Sequence, residues 1–356
     1  MWPDRRLCEL FKIDHPIIQA PMVGSATPEL ASAVCNMGGL GSLGCAEMTL
    51  EEVRLATATT RAATNRPFNL NFFIQDAPKT DAAVLQRTRE RLRGWYSALG
   101  LGAPPSELPD LAPTFDDERL SLLLEVRPAV VSLHFGVPSG AAITALKNAG
   151  IILISSATTV AEAKTLEECG MDAVIAQGWE AGGHRGSHKP TGPGQGVGTF
   201  ALVPQIADAV RIPVIAAGGV GDGRGIAAAF ALGASGVQIG TGFLSCPEAG
   251  TDEPRRALLR KASDTDTMLT DAFSGRSARA MRSRFAEEME KSREPLPAFR
   301  QMYALSEPLV DAAADGEASF HLYGQAAGLN RVLPAADLFR LLIDETAEVF
   351  GNLSKS

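Results

Sequence analysis

The chain has 356 residues, and its hydrophobic content of 45% is enough for a sizeable buried core in one large domain or two ordinary ones. A formal net charge of -8 gives no broad basic surface, which argues against nucleic acid as a partner. The five cysteines are widely spread and include no C-x-x-C pair, so the sequence predicts neither a disulfide framework nor a zinc site.

The first stretch, MWPDRRLCELFK, has no apolar segment followed by a small-residue cleavage site. No later run reaches the roughly 18 apolar residues that a membrane-spanning helix needs. From these two observations we expect a cytoplasmic protein with no membrane partner.

Eight short apolar runs, each followed by a glycine or turn cluster, predict eight β-strands. In chain order they are PIIQAPM (16–22), GLGSLG (39–44), FNLNFF (68–73), AVVSLHFG (129–136), IILISSA (151–157), AVIAQG (173–178), PVIAAGG (213–219) and GVQIGTGF (236–243). Alanine-rich segments with helical spacing separate them, and several end in glycine. Apolar strands that alternate with helices indicate a parallel sheet, and eight such units favour a closed (β/α)8 TIM barrel. An open doubly wound sheet is the alternative, because spacing alone does not prove closure.

Two segments depart from this repeat. Residues 74–128, between the third and fourth strands, are much longer than a usual crossover and predict an insertion. Residues 263–356 follow the eighth strand and predict a helical cap and tail near the barrel mouth. The expected organisation is therefore a barrel over 1–262 with that insertion, followed by a C-terminal helical cap.

In a TIM barrel the active site lies at the carboxyl ends of the strands, so residues just after each apolar run are the candidates. Their polar members are uncharged or weakly basic, and they include neither a carboxylate pair for glycosidase chemistry nor a metal cluster. We therefore predict no metal site.

The loops after the last two strands are rich in glycine. Backbone N–H groups of such loops can hold a phosphate beside a helix N-terminus, and barrel enzymes commonly place one there. Simple tight turns are the alternative reading. The candidates for a phosphate site are Gly218, Gly219, Gly240 and Thr241.

Two amide side chains, Asn71 and Gln177, fall at predicted strand ends, where they can donate and accept hydrogen bonds to the edge of a flat heterocycle. Taken singly, each amide is more simply read as a partner for loop backbone. Together with a phosphate site they favour flavin mononucleotide, FMN.

The segment AQGWEAGGHRG places His184 behind two glycines at the end of a strand. Glycine lets this backbone approach a ligand closely, and a neutral imidazole can accept a proton or donate a hydrogen bond. A structural histidine in a glycine turn is the alternative. His134, at the end of the fourth strand, is a second candidate.

Taken together, PIIQAPM, FNLNFF, VVSLHFG, AQGWEAGGHRG, PVIAAGGVGDGRG and GVQIGTGFL resemble the motif series of the nitronate monooxygenases, formerly called 2-nitropropane dioxygenases. The resemblance implies an FMN-containing barrel that oxidises alkyl nitronates of the propionate 3-nitronate type with O2, giving a carbonyl compound and nitrite. It implies His184 as the catalytic histidine, with His134 and Tyr303 in the substrate pocket. The residues that it places against FMN are Pro21, Met22, Asn71, Gln177, Gly182, Gly183, Gly218, Gly219, Gln238, Gly240 and Thr241.

The C-terminal segment FRQMYALSE departs from the family pattern, in which tyrosines and a lysine face the pocket. Here it offers Phe299, Tyr303 and Glu307. Two other functions stay open at this point. The first is an FMN-dependent NADH reductase of enoyl thioesters or quinones on the same barrel, and the second is a non-redox barrel enzyme that binds a phosphorylated substrate.

Overall fold

The computed structural model describes residues 2–109, 111–191, 194–292, 294–313 and 316–354. The strands in these ranges are β1 (Ile17–Gln19), β2 (Gly41–Gly44), β3 (Phe68–Phe73), β4 (Val130–His134), β5 (Ile152–Ala157), β6 (Ala173–Gln177), β7 (Gly183–His184), β8 (Val214–Ala217), β9 (Gly236–Ile239), β10 (Thr267–Thr270) and β11 (Ala278–Met281).

The α-helices in the same ranges are α1 (Arg6–Phe11), α2 (Pro28–Asn36), α3 (Leu50–Ala63), α4 (Ala82–Ala98), α5 (Asp117–Val126), α6 (Gly140–Asn148), α7 (Val160–Glu168), α8 (Thr199–Ala209), α9 (Gly223–Ala231), α10 (Glu253–Leu259), α11 (Arg284–Ser292), α12 (Gln301–Ala312) and α13 (Ala335–Leu353). Short 3-10 helices span Thr241–Phe243 and Gln325–Leu329. Among these described helices, none is both long and apolar enough to cross a lipid bilayer.

Eight parallel strands form the barrel, in the spatial order β1-β9-β8-β6-β5-β4-β3-β2. The last gap, between β1 and β2, is bridged by backbone hydrogen bonds. The N–H of Gln19 donates to the carbonyl of Leu40 at 3.0 Å, and the N–H of Leu40 donates to the carbonyl of Ile17 at 3.1 Å. The prediction of a closed TIM barrel is confirmed, and the open sheet is excluded.

Helix α1 closes the end of the barrel at which the strands begin. Its Leu7 and Phe11 pack with interior side chains such as Ile154 and Ile215. A Cβ added at Gly236, the first residue of β9, would lie 2.6 Å from Leu7 Cδ2. The opposite end, where the strands finish, is therefore the end that remains for a ligand cavity.

The segment after residue 262 contains the strands β10 and β11 as well as helices. Its helices α11 and α12 pack against α4 of the insertion, through a second apolar cluster that includes Trp95, Phe285 and Met302. Its last helix, α13, packs closely against the barrel helix α9. A Cβ added at Gly223, at the start of α9, would lie 2.4 Å from Glu345 Cβ. The division into domains at residue 262 stays a prediction.

Candidate active site

A cavity of about 600 Å³ opens at the carboxyl ends of the barrel strands. Its wall contains every residue that the sequence predicted for a cofactor or substrate: Pro21, Met22, Asn71, His134, Gln177, Gly182, Gly183, His184, Gly218, Gly219, Gln238, Gly240, Thr241 and Tyr303. Their contacts with a bound molecule stay a prediction.

The imidazole ring of His184 is held by residues outside the barrel strands. It lies in the short strand β7, which pairs antiparallel with β11 through Ala278. Its Nε2 atom lies 3.0 Å from the Ser274 hydroxyl and 3.5 Å from the Tyr303 hydroxyl, so the nitrogen left for a bound molecule is Nδ1.

The same histidine is uncharged at neutral pH. Its side chain is 8% exposed and is surrounded by the rings of Phe135, Phe299 and Phe320. Burial lowers the pKa of His184 to about 3, and repulsion from His134 in its protonated form and from Arg276 acts in the same direction.

His134 is held by the barrel itself and has both ring nitrogens occupied. Its Nδ1 lies 2.8 Å from the Ser156 hydroxyl, and its Nε2 donates to the carbonyl of His184 at 3.2 Å. Burial lowers the pKa of His134 to about 3, so this ring is also neutral. A Cβ added at Gly186 would lie 2.6 Å from the His134 ring, so glycine is required there for the loop to pass. His134 therefore supports the His184 loop.

Two of the amide side chains at the cavity wall serve neighbouring protein groups. Gln177 donates to the carbonyl of His184 at 2.9 Å and accepts from the N–H of Gly186 at 2.7 Å, which fixes the loop that carries His184. The amide nitrogen of Asn71 donates to the Ser132 carbonyl at 3.1 Å.

The third amide, Gln238, differs from these two. Its Oε1 atom is buried and has no hydrogen-bond partner in the described part of the chain. A buried acceptor without a donor is unfavourable, so this atom fits a ligand that brings an N–H group.

The glycine loops of β8 and β9 have the backbone geometry that a close ligand contact needs. Gly218 and Gly219 have φ angles of +104° and +75°, which L-residues rarely adopt. Thr241 begins a 3-10 helix directly after Gly240, and its hydroxyl accepts a hydrogen bond from the N–H of Gly324 at 2.9 Å. The C-terminal segment therefore lies directly beside the predicted phosphate site.

Helix α12 supplies one side of the cavity. Tyr303 and Glu307 both line it, whereas Phe299 packs against the His184 ring from the preceding turn. Burial raises the pKa of Tyr303, and the carboxylates of Glu47 and Glu307 act in the same direction. The Tyr303 hydroxyl therefore keeps its proton.

Sequence reasoning missed the groups that reach the cavity region from the C-terminal part of the chain. Ser274 and Arg276 lie in the turn between β10 and β11, and Gly324 follows α12. A hairpin signal is present in the sequence, since the glycine-containing turn SGR separates two short runs, but nothing local indicates that this turn meets His184.

These observations define a (β/α)8-barrel enzyme whose cavity joins glycine backbones, amides and a neutral histidine. Residues 4–345 match the family described as nitronate monooxygenase. A nitronate monooxygenase from Paraburkholderia phytofirmans is 47% identical, covering 98% of this chain and 97% of that protein. A nitronate monooxygenase from Pseudomonas aeruginosa is 42% identical, covering 96% of this chain and 98% of that protein.

A solved structure of nitroalkane oxidase from Streptomyces ansochromogenes is 37% identical and superposes with a TM-score of 0.89, covering 98% of this chain and 99% of that one. The chain therefore belongs to the nitronate monooxygenase family of oxidoreductases.

Proposed function

We propose that this chain is an FMN-dependent nitronate monooxygenase, which oxidises alkyl nitronates of the propionate 3-nitronate type with O2 to a carbonyl compound and nitrite. The observation that carries the proposal, beside the family, is that all of the predicted cofactor residues line the same cavity as His184. The nitroalkane oxidase that it resembles supports a nitro compound or its anion as the substrate class.

The cavity wall fits FMN in two respects. The buried, unpartnered Oε1 of Gln238 suits the imide N–H of a flavin ring. The backbones of Gly218, Gly219 and Gly240, with the Thr241 hydroxyl, would hold the phosphate. When bound, FMN supplies the ring that accepts electrons from the substrate.

The role proposed for His184 is to position the substrate. A neutral imidazole donates through one nitrogen and accepts through the other. Nδ1 can therefore donate to a nitronate oxygen when Nε2 accepts the single hydroxyl proton of Ser274, 3.0 Å away. A ring with a pKa of about 3 is a weak proton acceptor, and taking a proton from a neutral nitroalkane at pH 7 needs a stronger one. We therefore propose the nitronate as the preferred substrate over the neutral nitroalkane.

The direct test is the variant His184→Asn, assayed by oxygen uptake with ethyl nitronate. We expect the variant to retain FMN, measured by its visible spectrum, and to lose roughly 100-fold or more of kcat/KM. Unchanged turnover would return His184 to a structural role.

The two competing functions give different results with the wild-type protein. Anaerobic ethyl nitronate should bleach the flavin, whereas NADH should not. Rapid bleaching by NADH would assign the chain to the reductases. Colourless protein that cannot be reconstituted with FMN would favour an enzyme acting on a phosphorylated substrate.

A further inference from the structure

A buried arginine lies in the turn that contacts His184. Arg276 is 4% exposed and does not line the cavity. Its Nη2 donates to the carbonyl of Ser187, and its Nε has no hydrogen-bond partner among the described residues. In the same ranges, no carboxylate oxygen lies within ion-pair distance of its guanidinium. Burial of an unpaired charge is costly, so this arrangement calls for a functional explanation.

The ring of Phe135 connects this charge to the site. The Arg276 guanidinium lies over that ring at 3.8 Å, and the ring centroid lies 4.5 Å from that of His134 and 6.0 Å from that of His184. Phe135 has a φ of +77°, a conformation that is strained for a residue with a side chain. The chain thus holds a strained residue whose ring is close to both the guanidinium and the histidines.

The turn that carries Arg276 also fixes the partner of His184. The hydroxyl oxygen of Ser274 lies 2.9 Å from the carbonyl oxygen of Arg276 and accepts a hydrogen bond from the Arg276 N–H at 3.3 Å. The same hydroxyl lies 3.0 Å from Nε2 of His184. A change in this turn is therefore transmitted to the histidine ring.

Two other arginines line the cavity, but each lies close to carboxylates. Arg255 forms an ion pair with Asp252 at 3.3 Å. Arg300 lies near Glu47, which in turn lies near Glu307. Arg255 thus has an ion-pair partner and Arg300 lies near a carboxylate of the cavity wall, whereas Arg276 forms no ion pair among the described residues. Glu162 acts on the charge of Arg276 only from beyond ion-pair distance.

The charged and titratable groups that act on His184 are His134 from β4, Arg276 from the β10–β11 turn and Tyr303 from α12. The two histidines are neutral and Tyr303 keeps its proton, so only Arg276 in this set carries a charge. A field from a buried charge is screened little by salt and acts strongly across a water-poor site.

We propose that Arg276 is a positioning residue, whose buried guanidinium supplies the positive potential that draws an anionic substrate towards His134 and His184, and whose turn holds Ser274 against His184. The inference rests on the proposed function in one respect, namely that the substrate is an anion.

The test uses the FMN-loaded enzyme with ethyl nitronate as the probe. In Arg276→Met, which keeps an unbranched side chain but removes the charge, we expect KM to rise about tenfold with kcat changed less than about threefold. Arg276→Lys keeps the charge and should bring KM back to within about threefold of the wild type. The matched control is Arg279→Met, which removes another buried arginine of the same hairpin, one that donates to the carbonyl of Trp179.

A second readout needs no substrate. Because the charge of Arg276 lowers the pKa of His184, NMR titration of that ring should show a higher pKa in Arg276→Met than in the wild type, and an unchanged pKa in Arg279→Met. Failure of the proposed function would abolish nitronate turnover but leave this titration intact, so the two failures are distinguishable.

Three outcomes would overturn the proposal. The first is a folded Arg276→Met variant with the wild-type KM, and the second is an equal rise of KM in Arg279→Met. The third needs only the wild type, in case Arg276→Met does not fold. A buried charge predicts that KM changes less than about twofold between 0.05 and 0.5 M salt, so a steep salt dependence would place the attraction at the surface.

Discussion

His134 and His184 face the same cavity, yet different regions of the chain hold them. His134 ends a barrel strand, and its Nδ1 partner Ser156 belongs to the neighbouring strand β5. His184 lies in a two-residue strand outside the barrel, and its partner Ser274 is 90 residues further along the chain. The barrel thus holds the ring of His134. The C-terminal region holds the ring of His184, the residue proposed to position the substrate.

This comparison explains how one barrel can serve several reactions. The strand ends supply backbone and amide groups at fixed positions, which suit a cofactor. Groups delivered from the C-terminal region can change without disturbing the barrel, and they adjoin the histidine and the substrate space. In this chain the segment with Tyr303 and Glu307 is such a region.

The largest effect is a loss of activity expected in Ser274→Ala, compared with a small loss in Ser156→Ala. Loss of the Ser274 hydroxyl frees the His184 ring to turn, and a misplaced reacting group costs roughly 100-fold in rate. Ser156→Ala removes a partner of His134, which contacts the backbone of His184 but not its ring, so kcat/KM for ethyl nitronate should fall less than about fivefold. Equal losses in steady-state assays of the two variants would contradict the division between barrel and C-terminal region.

A smaller effect, on stability, is expected for Gly182→Ala. The added Cβ would lie 2.5 Å from the backbone nitrogen of Gly324 and 2.7 Å from the carbonyl carbon of Tyr323, so the C-terminal segment must move away from the barrel loop. Overpacking of this kind costs about 1–3 kcal/mol, measurable by urea denaturation.

The control for this variant is Gly94→Ala at an exposed position of helix α4, where a Cβ meets nothing within 4 Å. There alanine should stabilise the protein by about 0.4–1 kcal/mol. Unchanged stability of Gly182→Ala would show that the segment 323–324 does not depend on this close contact.

The last effect expected is a pH dependence of stability to which both histidines contribute, and it is small near neutral pH. The folded pKa of each is about 3, below the ordinary value of 6.5, so the unfolded chain binds protons that the folded protein does not. Stability is therefore full above pH 6.5 and falls as the pH drops towards 3, with a limiting slope of about 1.4 kcal/mol per pH unit for each histidine.

Denaturation at several pH values checks this slope. His134→Asn and His184→Asn should each lower the slope of unfolding free energy against pH by the contribution of one histidine. This holds whatever either variant does to the absolute stability. A slope that stays the same in either variant would mean that the missing ring titrates in the folded protein as it does in the unfolded chain.

The sequence by itself determined the barrel and most of the cavity wall. Parallel strands in register bring their carboxyl ends to one edge, so the residues that follow the apolar runs, such as Asn71, Gln177 and Gly218, had to meet. For these residues, local pattern and position in the chain were enough to predict which groups share a site.

Only the tertiary structure decided how His184 is held and what charge it carries. The contacts of Ser274, Arg276 and Gly324 with the barrel loops join segments far apart in the chain, and no periodicity or spacing encodes such contacts. The neutrality of the two histidines likewise comes from burial among aromatic rings, which depends on packing from several elements at once.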